Sequence, residues 1–302
     1  MPTLDRFLEE FLSFEQSSQV RGITDHGAPV WEIFRYQVFL KVAQKRGLLQ
    51  DIGVSLADGK VSRLASMAAQ ALRNSMGHNA FLAPQADYLI WGHNRRKKEA
   101  DGQYWDLYVD PILETLGVEN TVVMEPPFAN PLHFQPAKTP RLYYLDPLYL
   151  LSVVGSKASD FVLDLQQIRS LALIRSSVAE CFGQDGPEIG FYKERYSRFV
   201  IQKSLWQRIL KRVEPKAVFM VRAEGNEGLI AAARESQIPT IELQHGSPSA
   251  KKVNYDFGDR PKQLGADHFF AFGRFWRDLD FWARPKESIH VLGYPYLERY
   301  RR

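Results

Sequence analysis

Three clusters of polar side chains, each closing or following a short apolar run, carry the groups in this chain best suited to acid–base and anion chemistry. Arg222, Glu224, Gly225 and Asn226 follow KAVFMV (216–221). Gln244, His245 and Gly246 close and follow PTIELQ (239–244), and His93, Asn94, Arg95 and Arg96 follow ADYLIWG (86–92). A carboxylate such as Glu224 can take a proton from a hydroxyl, and an imidazole such as His245 changes charge near neutral pH. The guanidinium forks of Arg222 and Arg95 match phosphate and carboxylate groups. Gly225 permits a tight turn and Gly246 lets backbone and ligand approach closely. Asn226 stands where it caps the helix that follows, whose free N–H groups form an anion site. Each cluster also has a blander reading. Arg222 and Glu224 can simply pair with each other, His245 can be satisfied by a backbone carbonyl, and NRRKK can be a solvated basic loop.

The runs that carry these clusters have the length and composition of buried strands. After Pro215 the chain alternates: strands at 216–221, 239–244, 267–273 and 288–293, with helices at 226–236 and 274–282 between them. Earlier strands fall at 86–92, 120–126 and 141–145, with a helix over 104–116 and long helices at 159–182 and 188–213. This alternation predicts βαβ units and a parallel, doubly wound sheet. The fold class is α/β: a Rossmann-like parallel sheet flanked by helices, with a helical N-terminal region. In that region Leu4, Phe7, Leu8, Phe11 and Leu12 follow helical spacing, as do Val30, Phe34, Val38 and Val42, and a third helix is expected at 61–76. The predicted division is a helical region over 1–80, an α/β domain over 81–297, and a linker beginning at 298–302. In an open parallel sheet ligands bind beyond the carboxyl ends of the strands. That rule favours the functional reading of Arg222–Asn226 and Gln244–Gly246.

Composition narrows the classes. The chain has 302 residues, 45% hydrophobic and 25% charged, as a globular protein does. Its 39 basic and 35 acidic residues leave a formal charge of +4, too mild to point to nucleic acid but suited to phosphate- or carboxylate-bearing substrates. Cys181 is the single cysteine, which excludes an intramolecular disulfide framework and a cysteine-based zinc cluster. The acidic, amphipathic N-terminus is not a signal peptide, and no run approaches the length of a spanning helix. The expected setting is the cytoplasm, with any membrane contact peripheral. Walker, HExxH, GxSxG and GxGxxG signatures are missing, and the string Asp278-Leu-Asp280 lies inside a predicted helix, so no metal site and no cofactor are expected.

The stretch from IELQHGSPS (241–249) to HVLGYPYLERY (290–300) resembles capsule and surface-polysaccharide glycosyltransferases of the two-domain GT-B type, and more distantly CDP-glycerol glycerophosphotransferases. Its carriers are Gln244-His245-Gly246, the strand from Asp267 to Gly273, and Gly293-Tyr294-Pro295. Pro29-Val-Trp31 with Arg35, and the His93 loop leading to Asp101-Gly102, are similar to the front part of such proteins. The resemblance implies transfer of a sugar from a nucleotide-activated donor to a glycan or glycolipid acceptor, with Glu224 or His245 as the base or the group stabilising the transition state. Arg222, His93 and Arg95 would then orient anionic groups. It also implies that these residues make up the acceptor-side half, with the donor held by a second domain or a separate polypeptide. The alternatives are a non-catalytic glycan-binding or assembly subunit without a donor domain, and a nucleotide-sugar epimerase-like protein.

Overall fold

The computed structural model describes residues 3–49, 68–69, 72–73, 77–93, 95–127, 137–249, 252–258 and 260–299. Of the helix expected at 61–76 only residues 68–69 and 72–73 are described, and they are helical; the rest of it, most of the Pro-rich passage at 126–140 and Asn94 lie outside the described residues.

The chain opens with helix α1 (Leu4–Ser17), capped by the Thr3 hydroxyl, which accepts from the Arg6 N–H. A two-residue hairpin follows, β1 (Thr24–Asp25) against β2 (Ala28–Pro29), and then helix α2 (Arg35–Lys45). The first strand of the main sheet is β3 (Tyr88–Trp91). The stretch expected as one helix over 104–116 divides: β5 (Tyr104–Asp106) pairs with β4 (Arg96–Lys98), and only Val109–Leu116 is helical, as α3. The cause is Asp106, whose Oδ1 accepts from the N–H groups of Tyr108 and Val109 and so starts the helix there. Next come β6 (Thr121–Glu125), β7 (Leu142–Tyr144), α4 (Asp146–Ser156), the single turn α5 (Ser159–Val162), α6 (Leu165–Phe182) and α7 (Ile189–Val213). Asp164 and Gln167 form a reciprocal capping box that breaks the predicted 159–182 helix in two. The chain then runs through β8 (Ala217–Met220), α8 (Glu227–Glu235), β9 (Thr240–Leu243), β10 (His268–Ala271), α9 (Arg274–Arg277), β11 (Ile289–Val291) and α10 (Pro295–Arg299). Helix α9 stops five residues short of the predicted 282.

The seven strands of the main sheet lie in the order β7-β6-β3-β8-β9-β10-β11, all parallel. The chain starts in the middle at β3, winds outward to β7, returns across the sheet through α4 to α7, and winds outward the other way from β8. This is the doubly wound arrangement, and its winding reverses between β3 and β8. Successive strand residues point to opposite faces. Leu89, Trp91, Val218 and Met220 pack against Trp206, Ile209 and Leu210 of α7 and Leu229 and Ile230 of α8. Ile90, Val123, Phe219 and Ile241 face Tyr108, Val109 and Leu113 at α3. Gly228 lets α8 approach α7: a β-carbon there would lie 3.0 Å from Gln202 Cβ and 3.2 Å from the Lys203 backbone nitrogen.

The N-terminal helices build a further core with α6 and α7. Phe7, Phe11 and Phe14 meet Trp31, Phe39 and Phe182 in edge and stacked contacts. Leu171, Ile174, Tyr192 and Tyr196 join the same cluster, as do Val253 and Leu264 from the chain between β9 and β10. Among the described residues no helix is long and apolar enough to cross a membrane.

Candidate active site

The winding reversal between β3 and β8 leaves a crevice at the carboxyl ends of the strands, where no crossover covers the sheet. The strands end in register there: Trp91 lies opposite Met220, and Met220 opposite Glu242. The exits that follow therefore sit side by side, Gly92-His93 beside Val221-Arg222 beside Leu243-Gln244-His245. On the β8–β9 side they open into a cleft lined by Arg222, Glu224, Glu242, His245, Tyr255 and Lys262 among others.

The loop after β8 is shaped by its own residues. Gly225 adopts φ +82°, a left-handed conformation that a β-carbon would strain. Asn226 occupies the cap position of α8, but its side chain does not cap the helix. It is buried and donates from Nδ2 to the Arg222 carbonyl at 2.7 Å, closing the loop on itself. Glu227 supplies the acceptor for the Gly225 N–H at 3.0 Å. Arg222, exposed, and Glu224, half-buried, both line the cleft. Among the described residues no carboxylate lies within ion-pair distance of Arg222, so the simple Arg222–Glu224 pair does not form. Glu224 is half-buried and accepts from Asn254 Nδ2 at 2.7 Å. Burial pushes its carboxyl above the usual carboxylate range; Arg222, Lys262 and the Asn254 amide oppose that rise, and Glu227 adds to it.

The loop after β9 is held from two sides. Gln244 is buried, accepts from the Phe272 N–H at 2.7 Å and donates to the Gly246 carbonyl at 2.9 Å. Its amide fixes the β9 exit to the β10 exit. The His245 carbonyl accepts from the Tyr108 hydroxyl at 2.9 Å and more weakly from Arg95 Nη1 at 3.4 Å. The imidazole is half-buried, and burial, with Arg222 and Arg95 nearby, holds it below its ordinary value against the pull of Glu242 and of the Leu243 backbone. His93 is pushed further, down to about 4, by burial first and then by Arg95, Arg222 and His245. Both histidines are thus neutral near pH 7.

Of the residues singled out from sequence, Arg222, Glu224 and His245 line one cleft, with His93 and Arg95 along its edge. Arg96 is drawn elsewhere. Its side chain is buried in an ion pair with Glu125 at the end of β6, which leaves it a structural tie between the β4–β5 hairpin and the sheet. Gly246 is exposed at the rim. Asp278 pairs with Arg277 at the surface and Asp280 is fully exposed beside Lys286, so that acidic string holds no common point. Among the described residues no group of three potential metal ligands converges.

Sequence reasoning missed half of the cleft. Asn254, Tyr255, Phe257 and Lys262 come from the long passage between β9 and β10, and Trp282 and Arg284 from the segment before β11. Tyr255 packs edge-on against Trp282 at 5.9 Å between centroids, and burial raises its hydroxyl pKa well above the ordinary value. Arg284 stands 3.6 Å from the buried Glu242, whose other oxygen accepts from the Ala223 N–H at 3.2 Å. None of these residues follows a strand directly, so the strand-end rule did not reach them. The one available signal was the concentration of Asn, Tyr, Asp, Lys and Arg over 252–262 between two strands. No protein-family model matches the sequence, and no curated protein and no solved structure matches it either.

Proposed function

We propose that this chain is a glycosyltransferase that uses the cleft at Arg222, Glu224 and His245 to move a sugar from a nucleotide-activated donor onto a hydroxyl of a surface glycan or glycolipid. The observation that carries the reading is Glu224. A carboxyl group held above its usual range faces a cleft whose cations, Arg222 and Lys262, have no carboxylate within ion-pair distance among the described residues. A carboxylate tuned upward is a better base for a hydroxyl, and free cations suit a departing phosphate. In the step proposed, Glu224 takes the acceptor hydroxyl proton and the acceptor oxygen forms a bond to the anomeric carbon. The bond from that carbon to the donor phosphate breaks, and its electron pair leaves on the nucleotide, beside Arg222 and Lys262. Neutral His245 hydrogen-bonds the reacting sugar. Tyr255 and Trp282 supply apolar surface to the cleft wall.

The test pairs binding with turnover. CMP, UDP, GDP and CDP are titrated calorimetrically against the chain, and the corresponding nucleotide sugars are assayed for transfer and hydrolysis. Glu224→Gln is expected to lower turnover by about 10²–10⁴-fold while nucleotide affinity stays within about threefold. Ligand binding without turnover, unaffected by Glu224→Gln, would instead identify a glycan-binding or assembly subunit.

A further inference from the structure

Arg35 lies in α2, far in sequence from every residue of the cleft, yet its guanidinium is a hub that ends at the cleft wall. It is 2% exposed. Nε donates to Glu15 Oε1 at 2.6 Å and Nη2 to Glu15 Oε2 at 2.8 Å, a two-pronged pair with a carboxylate that is itself buried. The remaining donors reach across to the β9–β10 passage: Nη1 to the Val253 carbonyl, and Nη2 to the Asp256 carbonyl at 2.7 Å. Its Cζ lies 4.0 Å from the centroid of the Phe257 ring. Glu32, one turn earlier, takes the N–H groups of Gln263 and Leu264 at 2.8 and 2.6 Å. The N-terminal helical region therefore grips the backbone on both sides of the segment that supplies Asn254, Tyr255 and Lys262. Between the two carbonyls held by Arg35 stands Asn254, the donor to Glu224.

We infer that Arg35 is a positioning residue of the cleft: it fixes the backbone of 253–256 so that the Asn254 amide carries the Glu224 carboxylate. The reasoning is geometric. Backbone carbonyls at 253 and 256 bracket two residues, and anchoring both to one rigid, planar group leaves the intervening side chains little freedom. Lysine, a point charge on a flexible stem, cannot reproduce four contacts in one plane. Glu15, Trp31 and Arg21 serve as the counterweight. The Trp31 indole N–H and Arg21 also bond to Glu15, so the carboxylate that holds Arg35 is held in turn. The helical region is thereby part of the machinery of the cleft. This inference rests on the reading of the cleft as the reaction site, and its test separates the two.

The experiment uses the full chain with Arg35→Ala, Arg35→Lys, Asn254→Ala and the double variant Arg35→Ala/Asn254→Ala. Amide hydrogen exchange is followed over 252–264, and UDP titration is the binding probe. Arg35→Ala is expected to speed exchange at 253–258 by about tenfold or more while the amides of β3, β6 and β8 stay protected as in the wild type. Arg35→Lys moves the same amides in the same direction by less, which keeps the test alive if the alanine variant fails to fold. For turnover of the nucleotide sugar, Arg35→Ala lowers kcat severalfold in the wild type and much less in the Asn254→Ala background, because the two residues act on Glu224 through one path, while UDP affinity stays within about threefold. Unchanged exchange at 253–258, or a rise spread evenly over the sheet, would overturn the inference, as would additive losses in the double variant. If the wild type binds no nucleotide, the proposed function fails, and the exchange pattern alone still decides the role of Arg35 in holding the segment.

Discussion

Glu224 takes its ionisation from three neighbours whose removal has a defined sign. Burial raises its pKa; Asn254, Lys262 and Arg222 pull it back. A general base must be ionised to act, so the acid limb of kcat/KM should follow the Glu224 pKa. Asn254→Ala and Lys262→Ala each remove a lowering influence and are expected to move that limb to higher pH. A limb that stays in place in both variants would exclude Glu224 as the base. His93 offers a second titration, visible in stability. Its pKa falls from 6.5 to about 4 on folding, so between those values the unfolded chain binds a proton that the folded chain refuses. The contribution is absent above pH 6.5 and destabilises increasingly as the pH falls toward 4. Thermal melts should show Tm dropping over that window, with a shallower drop in His93→Gln.

Among the elements, strand exits were readable and loop contributions were not. The runs at 86–92, 120–126, 216–221 and 239–244 are continuous apolar segments because a parallel strand here is covered on both faces, and each appears within a residue or two of its expected ends. Their order in the sheet followed less directly, since the sequence pattern does not say which way a crossover returns. Residues 104–116 misled because Tyr104, Trp105 and Leu107 fit a helical face, while the Asp106 carboxylate starts the helix only at Val109. Asn254 and Lys262 were invisible for a different reason: their placement depends on Arg35 and Glu32, more than 200 residues away. The Gly225 turn is the element most open to test. Gly225→Ala forces a β-carbon onto φ +82° and should cost about 1–2 kcal/mol in urea unfolding. It should also weaken nucleotide binding, because the same turn aims Arg222 and Glu224.

Over the whole molecule the excess of positive charge is small, +4 across 302 residues, yet the crevice concentrates cations. Arg95, Arg222, Lys262 and Arg284 stand around it, and the first two help keep both histidines uncharged. A ligand bearing phosphate should therefore bind less tightly as salt rises, with a steeper dependence than the net charge suggests. Titrations of UDP from low to physiological ionic strength check this, and Arg222→Ala/Lys262→Ala should flatten the trend.

The reach from Arg35 to Val253 spans 218 residues, and it has a consequence for the birth of the protein. On the ribosome α2 emerges more than two hundred residues before the carbonyls its guanidinium needs. Until then a cation destined for the interior has Glu15 alone for company, and the aromatic core around Phe11 and Trp31 closes over an unfinished socket. The helices α1 and α2 therefore wait for the passage between β9 and β10 before they lock. Long-range closure of this kind makes folding slow and leaves the nascent chain dependent on protection from premature association.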